Sequence, residues 1–205
     1  MKKSLFISIA CVAFFCSHAI AGNYILTIDG KKHEVDVGKQ TTIELSDGKK
    51  LQVTLKKKAI VSFSAENFSF DHPSSVAPSR TDLGDGIHQT IMTTPLGTLV
   101  LVQEYANMDP AGLVDIMLNE LTKEEKQYGY KITNSPAKIN LSRGKTLTGK
   151  KSIATYRGEQ TTRHVLCYSI RDAGVMVITQ VAKDAPPKDK AMVDAFWETF
   201  KISLK

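Results

Sequence analysis

The side chains best suited to chemistry lie between residues 71 and 88. Four acidic or imidazole groups flank a polar stretch there and could converge on a metal ion: Asp71, His72, Asp82 and Asp85. Asp71, His72 and His88 could instead serve a hydrolase. Carboxylates in loops rich in Gly and Ser usually stabilise turns, however. We therefore assign no catalytic, cofactor-binding or metal-binding residue, and keep a hydrolase that uses residues 71–88 as an alternative.

The sequence contains none of the spacings that commonly mark an active site. Its histidines are isolated, and none occurs in the His-Glu-x-x-His motif that places two metal ligands on one helix face. There is no Gly-x-Ser-x-Gly elbow, and Gly84-Asp85-Gly86 is too short to hold a phosphate. Glu120, Glu124 and Glu125 fall on the solvated face of a predicted helix. We expect a protein that is not an enzyme and has no cofactor.

The first 21 residues have the three parts of a secretory signal peptide. Lys2-Lys3 supplies the positive charge, Leu5–Phe15 the apolar stretch, and Ala19-Ile20-Ala21 the small residues before the cleavage site. We expect cleavage between Ala21 and Gly22 and a periplasmic or secreted protein. The apolar stretch is roughly half of the ~20 residues that a membrane-spanning helix needs, so we expect no transmembrane anchor.

Composition and charge narrow the class of protein. Of 205 residues, 42% are hydrophobic and 23% charged, a composition typical of a folded globular protein and not of a disordered chain. The net charge is +6, and the lysines cluster at 31–32, 49–50, 56–58 and 150–151. If these clusters converge, they could attract an acidic protein partner; otherwise they only keep strand ends soluble. An exported protein seldom meets nucleic acid, so we expect no nucleic-acid partner.

Cleavage of the signal peptide would leave Cys167 as the only cysteine. One thiol can form neither an intramolecular disulfide nor a cysteine-based zinc site. Cys167 lies between Leu166 and Tyr168 in a strand-like run, and free cysteine is among the most buried residue types. We expect a buried, unreactive thiol.

Residues 22–58 predict two successive β-hairpins. Alternating apolar residues flank Asp29-Gly30 and, 18 residues later, Asp47-Gly48. Asp-Gly is preferred in two-residue hairpin turns because both turn positions need positive φ. The Lys56-Lys57-Lys58 run marks the expected boundary with the rest of the chain.

Residues 59–205 predict an α+β fold, an antiparallel β-sheet with two packed helices. One helix begins at Asp109-Pro110 and ends at Gly129, and the other begins at Pro186-Pro187. Their apolar stripes are Leu113, Val114, Met117, Leu118 and Leu121, and Met192, Val193, Phe196, Trp197 and Phe200. Residues 74–86 show no periodicity and predict a loop. Hairpin-length connections between the remaining strands require antiparallel pairing. The predicted strands are Ala59–Ser64, Asn67–Asp71, Ile87–Thr94, Thr98–Tyr105, Tyr130–Thr133, Ala137–Leu141, Lys145–Arg157, Thr161–Arg171 and Val175–Ala182.

Three features of residues 59–205 carry a resemblance to a known family: the phrase at 67–73, the helix after Asp109-Pro110, and the closing phrase at 194–201. On these features the segment resembles the PsbP-like α/β-sandwich superfamily, which includes DcrB-like proteins of the bacterial envelope. The resemblance implies an α/β sandwich and a non-catalytic accessory or binding role, in some members in the periplasm. It supplies no catalytic residues and does not cover residues 22–58.

The sequence thus predicts an exported, non-catalytic envelope protein that binds a protein partner. If the lysine clusters converge, that partner is expected to be acidic. An alternative in the same class is a periplasmic immunity protein that neutralises a delivered toxin. The alternative from another class is the hydrolase of residues 71–88. The oligomeric state does not follow from the sequence.

Overall fold

The computed structural model describes residues 23–142 and 144–204. The chain divides into two units between Lys57 and Lys58. The predicted signal peptide, residues 1–21, lies outside the described residues. Among the residues that are described, no helix is long and apolar enough to cross a membrane.

The first unit contains the two predicted antiparallel hairpins. Its strands are β1 (Asn23–Ile28), β2 (Lys31–Asp36), β3 (Gln40–Glu44) and β4 (Lys50–Thr54). β1 pairs with β2, and β3 pairs with β4. The first turn has the predicted geometry, because φ is 48° at Asp29 and 78° at Gly30.

The second turn differs from the prediction. The Leu45 N–H donates to the Lys49 carbonyl at 2.8 Å, so the loop has three residues, Ser46-Asp47-Gly48. Gly48 has a φ of 79°. The Asp47 carboxylate accepts a hydrogen bond from the Lys49 N–H at 3.1 Å. This side chain stabilises the turn locally, so a left-handed aspartate is not needed. The prediction of a two-residue turn is wrong here.

The second unit is built on a seven-stranded antiparallel sheet. Its strands are β7 (Ser79–Gly84), β8 (Ile87–Thr93), β9 (Leu99–Tyr105), β10 (Lys131–Asn140), β11 (Thr146–Tyr156), β12 (Glu159–Ile170) and β13 (Ala173–Ala182). Their order across the sheet is β10-β11-β12-β13-β9-β8-β7. A smaller sheet has the order β14-β6-β5, with β5 at Ile60–Ser64, β6 at Phe68–Pro73 and β14 at Lys201–Ile202.

The first helical segment begins after Asp109 and ends before Gly129, as the sequence predicts, although its first turn is a 3-10 helix. Asp109 Oδ1 accepts the Ala111 N–H at 2.9 Å and caps a 3-10 turn that leads into α1 (Val114–Gln127). Gly129, with a φ of 84°, follows its end. The helix covers one face of the large sheet. Val114 and Leu118 of the helix pack in one buried cluster with these residues of β12 and β13: Val165, Cys167, Met176 and Ile178.

The second helix, α2 (Pro187–Thr199), buries the predicted stripe. Met192 and Phe196 are completely buried, and Phe200, immediately after the helix, is 1% exposed. They belong to a core with these residues of both sheets: Phe68, Phe70, Met92, Val100, Val102, Leu166, Val175 and Val177. Since Val175 and Val177 contact this core while Met176 and Ile178 contact α1, the two helices lie on opposite faces of the large sheet.

Three segments differ from their predictions. Residues 74–86, predicted as a loop, contain β7, which lacks alternation because all six of its residues are exposed. The strands predicted at 130–133 and 137–141 are one strand, β10, in which Pro136 is tolerated because β10 is an edge. The short strand β14 was not predicted. The unit is therefore mainly antiparallel β-sheet with two helices, as expected, but richer in strand.

Candidate ligand-binding groove

A groove in the second unit lies between the first turn of α2, the β8–β9 turn and the segments flanking β5 and β6. Its volume of about 630 Å³ lies within the range of roughly 300–1,000 Å³ that small-ligand sites occupy. Most of its lining is apolar: Ala59, Ile60, Pro73, Val76, Ala77, Pro95 and Ala191. Backbone hydrogen bonds from Ser74 to Ala59, at 2.9 Å, and from Val76 to Pro73, at 3.0 Å, fix one wall.

A buried carboxylate, that of Asp189, also lines the groove. Asp189 is 2% exposed, and it is the third residue of α2 because Pro187 is the first. The helix N-terminus favours negative charge at this position. The Thr94 hydroxyl donates to Asp189 Oδ2 at 2.5 Å, and the Asp189 N–H donates to the Pro186 carbonyl at 2.9 Å. The bond from Thr94 holds the start of α2 against the β8–β9 turn.

The Thr94 hydroxyl uses only part of the hydrogen-bonding capacity of the Asp189 carboxylate. An ionised carboxylate has about four acceptor sites, and burying one is costly unless a positive group or several donors compensate. Thr94 is a neutral donor, and Lys188 lines the groove but is exposed. An ammonium or guanidinium group in the groove would be able to donate charged hydrogen bonds to this carboxylate. Because Pro186-Pro187 predicts the start of α2, the sequence places Asp189 in the first turn of that helix. No pattern in the sequence indicates that the Asp189 side chain is buried.

The structure gives Asp71 and His72 separate partners. Asp71 Oδ1 accepts a hydrogen bond from the Ser62 hydroxyl at 2.6 Å. His72 is buried, with Nδ1 3.0 Å from the Pro73 carbonyl oxygen. As neighbours on β6, the two side chains face opposite sides of the strand. They do not form one site.

Asp82, Asp85 and His88 lie around the β7–β8 hairpin. Asp82 is directly opposite His88, with Oδ2 3.9 Å from Nε2, and Asp82 Oδ1 accepts the Gly84 N–H at 2.9 Å. Asp85 occupies the turn, with a φ of 52°. Among residues 23–142 and 144–204, no three His, Cys, Asp or Glu side chains are grouped closely enough to hold a metal ion. The structure therefore does not group Asp71, His72, Asp82 and Asp85 as metal ligands.

The sequence did not predict a buried carboxylate, that of Glu104, beside this hairpin. Glu104 on β9 is 3% exposed; the Arg80 guanidinium contacts Oε2, and the Asn67 N–H donates to Oε1 at 3.1 Å. His88 stands in register between Asp82 and Glu104 across three strands. Arg80 and Asp82 lie in a segment that the sequence predicts as a loop. Strand register therefore could not predict that their side chains lie close to Glu104.

Two further expectations about charge are corrected. Glu120 and Glu124 are exposed, but Glu125 is partly buried and pairs with a buried arginine, so it is not on a solvated face. Lys150 pairs with Asp115, whereas its neighbour Lys151 projects from the other face of β11. The 150–151 cluster is therefore not a single positive surface.

The thiol of Cys167 is buried, as predicted. Cys167 is 5% exposed, and its Sγ lies 3.5 Å from the Thr148 carbonyl oxygen. Burial, together with the nearby charge of Asp109, raises the pKa of the thiol. Because the thiolate is the reactive form, both effects reduce reactivity.

Comparison with known proteins gives little further information. No family model matches the chain, and no curated protein matches it. A solved structure of a protein from Bacteroides thetaiotaomicron VPI-5482 is similar over 67% of this chain, with a TM-score of 0.36 and 13% sequence identity. The match covers 46% of that protein, so this chain spans less than half of its length. A likeness at this level identifies neither a family nor a function.

Proposed function

We propose that the protein is an exported, non-catalytic binding protein of the bacterial envelope, and that its ligand occupies the groove beside Asp189. The observation that carries the proposal is a buried carboxylate in the wall of an apolar groove of about 630 Å³. The ligand this arrangement fits is a cationic amphiphile, with an apolar body and one amine or guanidinium group.

The fold and the location belong to the same proposal. The second unit is proposed to be a PsbP-like α/β sandwich, which the packing of helices on an antiparallel sheet supports. Export is supported by the signal-peptide pattern of residues 1–21. N-terminal sequencing of protein from the periplasmic fraction should begin at Gly22. Retention of Met1 would contradict export without bearing on the groove.

The groove is tested with two fluorescent probes that share an apolar dansyl body. Dansylcadaverine carries a primary amine, and dansylglycine carries a carboxylate. We expect the amine probe to bind more tightly, and Asp189→Asn to weaken its binding by roughly tenfold or more, since a charged hydrogen bond is lost. Asn keeps the size of the side chain and an acceptor for Thr94.

Two further variants separate binding from stability. Glu198→Gln removes an exposed carboxylate from the same helix and should leave amine binding unchanged. Ala77→Trp adds bulk to the groove lining and should block both probes, while a thermal melt confirms the fold. Equal affinity for the two probes, or wild-type binding by folded Asp189→Asn, would refute the proposed ligand chemistry.

A further inference from the structure

The two edges of the large sheet are protected unequally. β10 carries Lys131, Pro136 and Lys138, residue types that discourage pairing with another strand. β7, at the other edge, contains neither lysine nor proline, and all of its residues are exposed. A bulge between Asp82 and Gly84 leaves the strand regular from Ser79 to Asp82.

Strand register shows which backbone groups of β7 are free to pair. The Thr94 N–H donates to the Thr98 carbonyl at 3.0 Å, which makes the even-numbered residues of β8 bond to β9 and the odd-numbered ones bond to β7. Thr81, opposite an odd-numbered residue of β8, therefore bonds inward. The N–H and C=O groups of Arg80 and Asp82 point away from the sheet.

The sequence of this edge is complementary to itself. If two copies of β7 pair antiparallel about Thr81, Arg80 lies directly opposite Asp82 of the second copy, and Asp82 lies opposite Arg80 of the second copy. Both pairs also exchange backbone hydrogen bonds, since these are the residues whose backbone groups point outward. Opposite charges directly across an antiparallel pair stabilise it.

Neighbouring groups hold both charged side chains in place. Arg80 contacts Glu104 through Nη1 and keeps further N–H donors for a second carboxylate. Asp82 is held by the Gly84 N–H and lies near His88. A strand that pairs with this edge must therefore carry an acidic and a basic side chain two residues apart. β7 itself carries such a pair, Arg80 and Asp82.

We propose that the protein forms a two-fold symmetric dimer through antiparallel pairing of β7 with β7 of a second copy, which joins the two seven-stranded sheets into one. A single strand pair buries less than the roughly 1,200 Å² of a standard interface, so the dimer is weak and depends on concentration. Its two ion pairs lie at the surface, so it also weakens with added salt.

Sedimentation equilibrium of the wild-type chain and two charge variants tests the dimer. Asp82→Arg places arginine opposite arginine in both pairs and should raise the dimer dissociation constant at least tenfold. Asp184→Arg makes the same change of charge at an exposed position outside β7 and should leave it unchanged. The proposal would be overturned if the wild-type protein stayed monomeric up to roughly 1 mM, because any dimer with a dissociation constant below that concentration would be detected. Equal effects of the two variants would also overturn it.

A disulfide test locates the symmetry axis. Opposite Cα atoms in a non-hydrogen-bonded antiparallel pair lie about 4.5 Å apart, within the range of roughly 4.4–6.8 Å that a disulfide spans. In the chain that begins at Gly22, whose one cysteine, Cys167, is buried, oxidised Thr81→Cys should form a covalent dimer. Ser79→Cys lies on the same face but off the axis, and it should not. Cross-linking of both, or of neither, would contradict the proposed register.

Discussion

Glu125 on α1 and Arg163 on β12 form a bidentate ion pair. Arg163 Nη1 donates to Glu125 Oε2 at 2.7 Å, and Nη2 donates to Oε1 at 2.6 Å. The Arg163 side chain is 5% exposed, and its Nε donates to Gln180 Oε1 at 2.6 Å. Gln180 Nε2 in turn donates to the Gly97 carbonyl at 3.0 Å. One polar chain thus connects α1, two strands and the β8–β9 turn.

Glu125→Ala should destabilise the protein by about 3–5 kcal/mol, because it leaves the buried Arg163 guanidinium without its anion. Urea denaturation measures this as a lower transition midpoint. Glu124→Ala removes an exposed neighbour and should change the stability by less than about 0.5 kcal/mol. Glu125→Leu combined with Arg163→Met should recover most of the loss. Equal effects of the two alanine variants would show that the pair has no net role.

Phe196→Ala should lower the free energy of unfolding by about 3–5 kcal/mol. Phe196 is fully buried, and its ring centroid lies 4.7 Å from that of Phe200 and 5.1 Å from that of Phe70. The substitution leaves a cavity in the core between α2 and the sheets. Glu198→Ala, exposed on the same helix, is the matched control. A Phe196→Ala melt within a degree or two of wild type would mean that this face of α2 does not belong to the core.

The parts of the fold that could be predicted are those where local and tertiary preferences agree. Asp109 and Pro187 identify helix starts through their own backbone chemistry, and the α2 stripe has a single buried face. β7 could not be predicted, because an exposed edge strand has no apolar alternation. The sequence predicts two strands in place of β10, because Pro136 indicates a break unless the strand is known to be an edge.

The candidate site could not be predicted from sequence, because burial of its charge depends on distant segments. Asp189 resembles any acidic residue in the first turn of a helix until the β8–β9 turn, 95 residues earlier, packs against it. Glu125 stands in a charged run, and its partner Arg163 is 38 residues away on a strand. Only the tertiary arrangement brings these groups together.

Cys167 in the folded protein should react slowly with a thiol reagent. It is buried, and burial raises the pKa of its thiol, so little thiolate is accessible. We expect labelling at least roughly 100-fold slower than in denaturant, because reaction requires an opening of the sheet. Ser79→Cys, on exposed β7, provides an internal standard that should label at once. Equal native rates at the two positions would contradict the burial argument.

His164 should make the protein less stable in acid. Burial, with the charge of Lys151 opposite it as a smaller cause, lowers the pKa of His164 from its usual 6.5. A group with a lowered folded-state pKa contributes stability that is present above the unfolded pKa and is lost as pH falls through the folded pKa. The free energy of unfolding should therefore decrease as pH falls below about 6.5, and His164→Gln should make this decrease shallower.

Two lysine variants identify the cause of this shift. Lys151→Met removes the nearby positive charge, so an NMR titration should show the pKa of His164 moving upward, part of the way toward 6.5. It stops short because burial, the larger cause, remains. Lys150→Met changes the adjacent residue, which faces the other side of β11 and pairs with Asp115, and should leave the pKa of His164 where it is. If both variants moved the pKa equally, the shift would reflect the general positive charge of the protein and not the contact across β11 and β12.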